Sequence, residues 1–150
     1  MGGIAACIYY VSPSQINFLV PSSPAFFQLD AQNVIATRPD GALITPGNAA
    51  KGGDVLLLYA TGLGQVVPPL ADREIPAGPL RIKLFADLKI TVDNIALTAD
   101  QLLYAGVSPG FGGLYQINVR LPDVVGPNPE IRVSLGGQIS PAGIRLPAQP

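Results

Sequence analysis

The phrase Val11-Ser12-Pro13, Gln15-Ile16-Asn17, Pro21 returns as Val107-Ser108-Pro109, Gln116-Ile117-Asn118, Pro122. The second copy carries Gly110-Phe111-Gly112-Gly113-Leu114-Tyr115 where the first has only Ser14. A strand-and-turn phrase that recurs marks an internally duplicated β architecture rather than an active site. Two distant stretches must then fold as similar strand pairs, which commits the chain to a β fold.

Punctuation and patterning agree. Gly (17) and Pro (16) make up more than a fifth of the 150 residues, which suits short strands and turns and leaves little room for long helices. Ile16, Phe18 and Val20, then Tyr115, Ile117, Val119 and Leu121, then Ile131, Val133 and Leu135 recur at period two, as strands with one buried face do. Val55 to Ala60 is apolar throughout and bounded by glycines, which predicts a central strand covered on both faces. Arg81–Phe85 and Lys89–Val92, flanking Ala86-Asp87-Leu88, predict a hairpin. Asp40-Gly41, Asp93-Asn94 and Gly136-Gly137 are turn pairs suited to left-handed backbone. Val66-Val67-Pro68-Pro69 and Pro76–Pro79 read as rigid surface loops, and Pro147–Pro150 as an extended tail.

With 150 residues the chain is long enough for one domain with a real core. Charged residues make up 13%, about half the usual share, against 48% hydrophobic, which predicts extensive buried or interfacial surface. A net charge of -1 without a run of Lys or Arg argues against nucleic acid and anionic membranes as partners. No stretch is long and apolar enough for a transmembrane helix, and the N-terminus has neither a signal-peptide pattern nor a myristoylation signal, Ala6 standing where Ser or Thr is needed. Cys7, the single cysteine, reads as a buried thiol in an apolar strand. Gly2-Gly3-Ile4 followed by Cys7–Val11 parallels Asp93-Asn94-Ile95 followed by Leu102–Val107, but without a strand before it. The expectation is an open edge at Tyr9, Tyr10 and Val11, a possible assembly edge, covered by Ile139–Leu146 of the same chain or of a neighbour.

The blocks Tyr10-Val11-Ser12-Pro13, Lys51-Gly52-Gly53-Asp54, Leu58-Tyr59-Ala60-Thr61-Gly62-Leu63-Gly64, Tyr104–Phe111 and Gly113–Val119 together resemble a C-terminal domain family found repeatedly in large secreted proteins of soil Acidobacteria of the Solibacter type. The resemblance spans nearly the whole chain. It implies a secreted, extracellular, immunoglobulin-like β-sandwich of the early-set type with no assigned activity. The chain departs from the family in its short Val20–Phe27 stretch and in Asp93-Asn94, where a glycine pair is usual. The expected organisation is a partial N-terminal repeat over residues 1–23, packed on an all-β, immunoglobulin-like antiparallel sandwich over 24–150.

The sequence contains no histidine, which removes Ser-His-Asp and Cys-His catalysis and the commonest zinc ligand. A Ser-Lys dyad with Lys51, Lys83 or Lys89 has no supporting motif. Ten carboxylates are scattered; Asp72 and Glu74, the nearest pair containing a glutamate, read as solvated loop charges rather than as a glycosidase pair or a calcium site. Gly62-Leu63-Gly64 lacks the third glycine and the helix of a dinucleotide turn, because Val67-Pro68-Pro69 follows. Gly110–Gly113 is expected to carry the chain between sheets with Phe111 as a plug. Tyr9-Tyr10 and Phe26-Phe27 are each expected to put at least one ring in the core. Gln15, Asn17, Gln116 and Asn118 lie on the polar faces of equivalent strands and are expected to bond loop backbone and fix strand entry. Catalytic residue, metal and cofactor are all expected to be absent. The functional expectation is a structural, display or protein-association module, self-associating or binding another extracellular protein. The alternatives are a carbohydrate-binding module, for which an exposed row of Tyr or Phe would speak, and a hydrolase with an unrecognised acid pair.

Overall fold

The structure, a computed structural model, describes residues 7–12, 15–19, 23–71 and 74–150, the first two segments by their backbone pairing. Its strands are β1 (Cys7–Ser12), β2 (Gln15–Leu19), β3 (Ala25–Phe26), β4 (Ala36–Thr37), β5 (Val55–Thr61), β6 (Val66–Val67), β7 (Leu80–Ile82), β8 (Lys89–Val92), β9 (Ile95–Ala96), β10 (Leu102–Val107), β11 (Tyr115–Arg120), β12 (Ile131–Leu135) and β13 (Gln138–Ile139). Among the described residues the only helix is a 3-10 turn at Phe85–Asp87, and none is long and apolar enough to cross a membrane.

The protein is all-β. One sheet has the order β3-β5-β11-β10-β7-β6, with β4 also on β5, and the other has β13-β12-β8-β9; every strand pair is antiparallel. Leu56, Leu58, Ala105, Ile117 and Val119 of the first sheet and Ile90, Ile131 and Val133 of the second belong to one buried cluster, so the two sheets share a core. Each large aliphatic side chain so buried contributes about 1.5–3 kcal/mol. β5 is an interior strand, as expected, and so is β11; each is paired along both edges.

Four expectations are corrected. β5 is not covered equally on both faces: Leu56, Leu58 and Ala60 are fully buried, while Val55, Leu57, Tyr59 and Thr61 are half-buried. Its apolar run hides an ordinary period-two strand whose outer face is roofed only in part. Arg81–Phe85 and Lys89–Val92 do not form a hairpin. β7 joins β10 in the first sheet, the 3-10 turn carries the chain across, and β8 joins β12 in the second. Gly110–Gly113 stays within one sheet as the β10–β11 loop, and Phe111 is 59% exposed rather than a plug. The stretch read as a loop at Val66-Val67 pairs with β7 as β6.

Turn chemistry follows the sequence. Asp93 and Asn94, at φ 48° and 64°, join β8 to β9, and Gly136 and Gly137, at 57° and 81°, join β12 to β13. Positive φ at both central residues matches the twist of a two-residue hairpin. The C-terminal stretch is extended, as expected, but built into the fold. Arg145 N–H donates to Gln32 O and Arg145 O accepts from Val34 N–H, while Leu146 N–H donates to Pro129 O and Pro147 O accepts from Ala50 N–H. Leu146 and Ala148 are buried. Residues 145–149 therefore bond on both sides to the module itself, and β13 lies on β12.

β1 and β2 pair with each other in a separate two-stranded sheet. Their register repeats that of β10 and β11. Asn17 faces Tyr10 and Asn118 faces Tyr104, and in both hairpins the register slips by one residue directly after the asparagine. The backbone thus equates Tyr10 with Tyr104 and Ser12 with Gly106, so the two Val-Ser-Pro phrases are offset by two residues. An offset of two keeps every side chain on its face. The turn expected at Gly2-Gly3 lies outside the described residues.

Candidate functional site

The outer face of the larger sheet carries the expected polar residues of the second copy. Gln116 and Asn118 alternate with buried Tyr115, Ile117 and Val119 on β11, which turns both amides outward. Across the strands Gln116 faces Tyr59 and Gly106, and Asn118 faces Leu57 and Tyr104. Gln116 Nε2 donates to Asn118 Oδ1 at 2.7 Å. The amides are therefore joined to each other by one bond, rather than to the loop backbone expected from sequence. Tyr59 OH lies 3.3 Å from Thr37 Oγ1 on β4. For Gln15, Asn17, Tyr9, Tyr10 and Val11, strand pairing alone is described, and it puts Gln15 opposite Ser12 and Val11 opposite Ile16.

Tyr104 and Gly106 form a unit that sequence reading passed over. They sit two apart on β10, on one face, and the tyrosine ring lies across the glycine. A Cβ at Gly106 would collide with the ring and with Leu80 O, so glycine is required by close approach. Tyr104 OH is 3.1 Å from Val107 O and 3.3 Å from Leu80 O, at the β7–β10 junction. Burial pushes its phenol above the ordinary range, partly offset by the charge of Arg81. The available signal was Tyr-x-Gly within a strand, since spacing two is one face. The row as a whole offers amides and hydroxyls, which donate and accept hydrogen bonds and hold substituents in place.

The carboxylates are dispersed into backbone work. Asp30 accepts from the Asn33 side-chain amide and from the Gln32 and Asn33 N–H groups, which hold its carboxyl below the usual range. The largest cause is the side-chain bond from Asn33. Asp40 accepts from Ala42 N–H, Asp93 from Glu130 N–H, Glu74 from Ala71 N–H and Glu130 from Gly143 N–H. Asp54 accepts from Lys51 N–H and pairs with Arg38 at 3.1 Å. Asp72 lies outside the described residues. Among those described, no three His, Cys, Asp or Glu side chains gather as a metal would need. Three surface hollows, of about 250, 150 and 380 Å³, have no carboxylate in their walls.

The described aromatics do not line up as an exposed row. Tyr115 and Phe26 are buried, and Tyr115 OH donates to Gly64 O. Tyr59 and Tyr104 are half-buried with bonded hydroxyls, while Phe27 and Phe111 are exposed on separate segments. Comparison with protein-family models, curated proteins and solved structures finds no match for this chain.

Proposed function

We propose that this chain is a non-catalytic extracellular β-sandwich module of immunoglobulin-like, early-set type, used for structure, display or protein association. It associates with copies of itself, or with another extracellular protein, through strand pairing at β1. The observation that carries the reading is the contrast between the two hairpins. β10 and β11 are covered on their outer edges by β7 and β5, whereas β1 and β2, with the same register, pair only with each other among the described residues. An uncovered edge presents unpaired N–H and C=O groups and accepts another strand. The resemblance to the Solibacter-type secreted domain supports the extracellular setting.

The module's other edges favour the same reading. β3, β4, β6, β9 and β13 are two residues each, too short to recruit a strand along their length. Sedimentation of the full chain should give a mass above that of the monomer, or a stable complex with an extracellular partner. Tyr10→Pro and Val11→Pro, which between them remove one N–H on each side of β1, should return it to monomer with near-ultraviolet dichroism unchanged. A monomer that forms no complex and is indifferent to both substitutions would sink the proposal.

A further inference from the structure

We infer that Arg132 is the centre of a carboxylate-binding site on the outer face of the smaller sheet. This goes beyond the association proposed above, since it concerns a different sheet and a different chemistry.

Arg132 alternates with buried Ile131 and Val133, so it points outward, yet it is half-buried there. Its guanidinium is fixed: Nε at 3.2 Å and Nη2 at 2.7 Å both donate to Ser140 O. Ser140 is itself 2% exposed and held, its N–H donating to Val133 O and its Oγ accepting from Val133 N–H at 3.0 Å. One edge of the fork is therefore anchored to the sheet, and among the described residues Nη1 has no hydrogen-bond partner. Of the five N–H donors on a guanidinium, the outer pair on Nη1 and Nη2 remains available, in the parallel arrangement that a carboxylate matches.

Among the described residues no acid pairs with this charge. Arg38 with Asp54 is the ion pair among the described residues, and Arg132 is not in one. The outward positions of β8 and β12 are Lys89, Thr91, Arg132 and Ser134, two cations and two hydroxyls. A half-buried cation without a counter-charge is costly unless something anionic completes it. Space is present on both sides. Arg132 borders the hollow of about 150 Å³ with Thr91, Asn94 and Ser134, and the hollow of about 380 Å³ with Ser23, Gln138 and Pro141. Ile139, 60% exposed, borders both and supplies apolar contact for the body of the ligand. The ligand is a carboxylate, carried on a small organic acid or on an acidic side chain.

The test is a titration of the ¹⁵N-labelled full chain, read at the Arg132 Nε–H, the Gln138 side-chain amide and the Ser140 amide. The probes are succinate, a blocked peptide with one glutamate, and sulfate. Saturable shifts with both carboxylates assign the site to small acids. Shifts with the peptide alone assign it to acidic side chains. Arg132→Gln should abolish the shifts, and Arg132→Lys, which keeps charge without the fork, should weaken binding at least about tenfold. Thr91→Glu, directly across the strand pair from Arg132, should fill the site internally, raise the melting temperature and abolish the titration. No saturable shift with either carboxylate, an equal response to sulfate, or titration retained in Thr91→Glu or in folded Arg132→Gln would overturn the inference.

Discussion

The hairpins β1–β2 and β10–β11 are one phrase in two surroundings. Both turn a Gln-Ile-Asn strand against a partner, and both slip register after the asparagine. The second is walled by β5 and β7, and its Ile117 is fully buried in the shared core. The first has no such walls among the described residues. The same words therefore encode strand pairing and register in both places, while the walls around the second copy come from elsewhere in the chain. The walls of the second copy are Val55–Thr61 and Leu80–Ile82.

This contrast can be broken by matched substitutions. Ile117→Ala should cost about 2–5 kcal/mol, the range for emptying a fully buried aliphatic site, and Ile16→Ala, in a hairpin without walls among the described residues, should cost less. Urea unfolding of both variants measures it, and equal losses would mean that the first hairpin is part of the core. Gly106→Ala should cost about 1–3 kcal/mol through collision with Leu80 O and the Tyr104 ring. Its backbone equivalent Ser12→Ala should be close to neutral by the same melts.

Smaller effects sharpen the comparison. Tyr104→Phe should lose about 1 kcal/mol with its hydroxyl bond. Because burial raises the folded phenol's pKa, the neutral form is favoured when folded. That contribution is fully present below the unfolded phenol's pKa of about 10, and is lost as pH rises through the folded value. Tyr104→Phe should therefore flatten the alkaline arm of a stability–pH curve measured by urea unfolding. Asn118→Ala, which strips the acceptor from Gln116 Nε2, should cost about 0.5–1 kcal/mol by the same melts.

Much of the fold was legible because period two, glycine pairs and apolar runs act locally. β11, β12 and the turns at Asp93-Asn94 and Gly136-Gly137 were readable residue by residue. The change of sheet at Phe85–Asp87 was not, since two nearby strands look the same whether they pair or part. The placement of Leu57 and Tyr59 on a half-covered face was equally silent, because apolar residues occupy both faces of β5. Among the candidate residues, the outward direction of Gln116 and Asn118 followed from alternation. Their mutual bond and the ring of Tyr104 over Gly106 depend on rotamers that no pattern encodes. Arg132 is invisible in sequence because what distinguishes it is a missing neighbour, and absence of a counter-charge is a property of space.

The seating of residues 145–149 has a consequence for how the protein is made. This stretch fills the seam between Gln32–Val34 and Ala50 on one flank and Asn128–Glu130 on the other, so partners translated early wait for a strand translated after them. Until it arrives, the N–H groups of Val34 and Ala50 lack their acceptors and the cavity for Leu146 stands open. Contacts between chain segments so distant in sequence are slow to form. A nascent module that has not yet delivered this stretch has its seam open, and it is there that chaperones or proteases would find it.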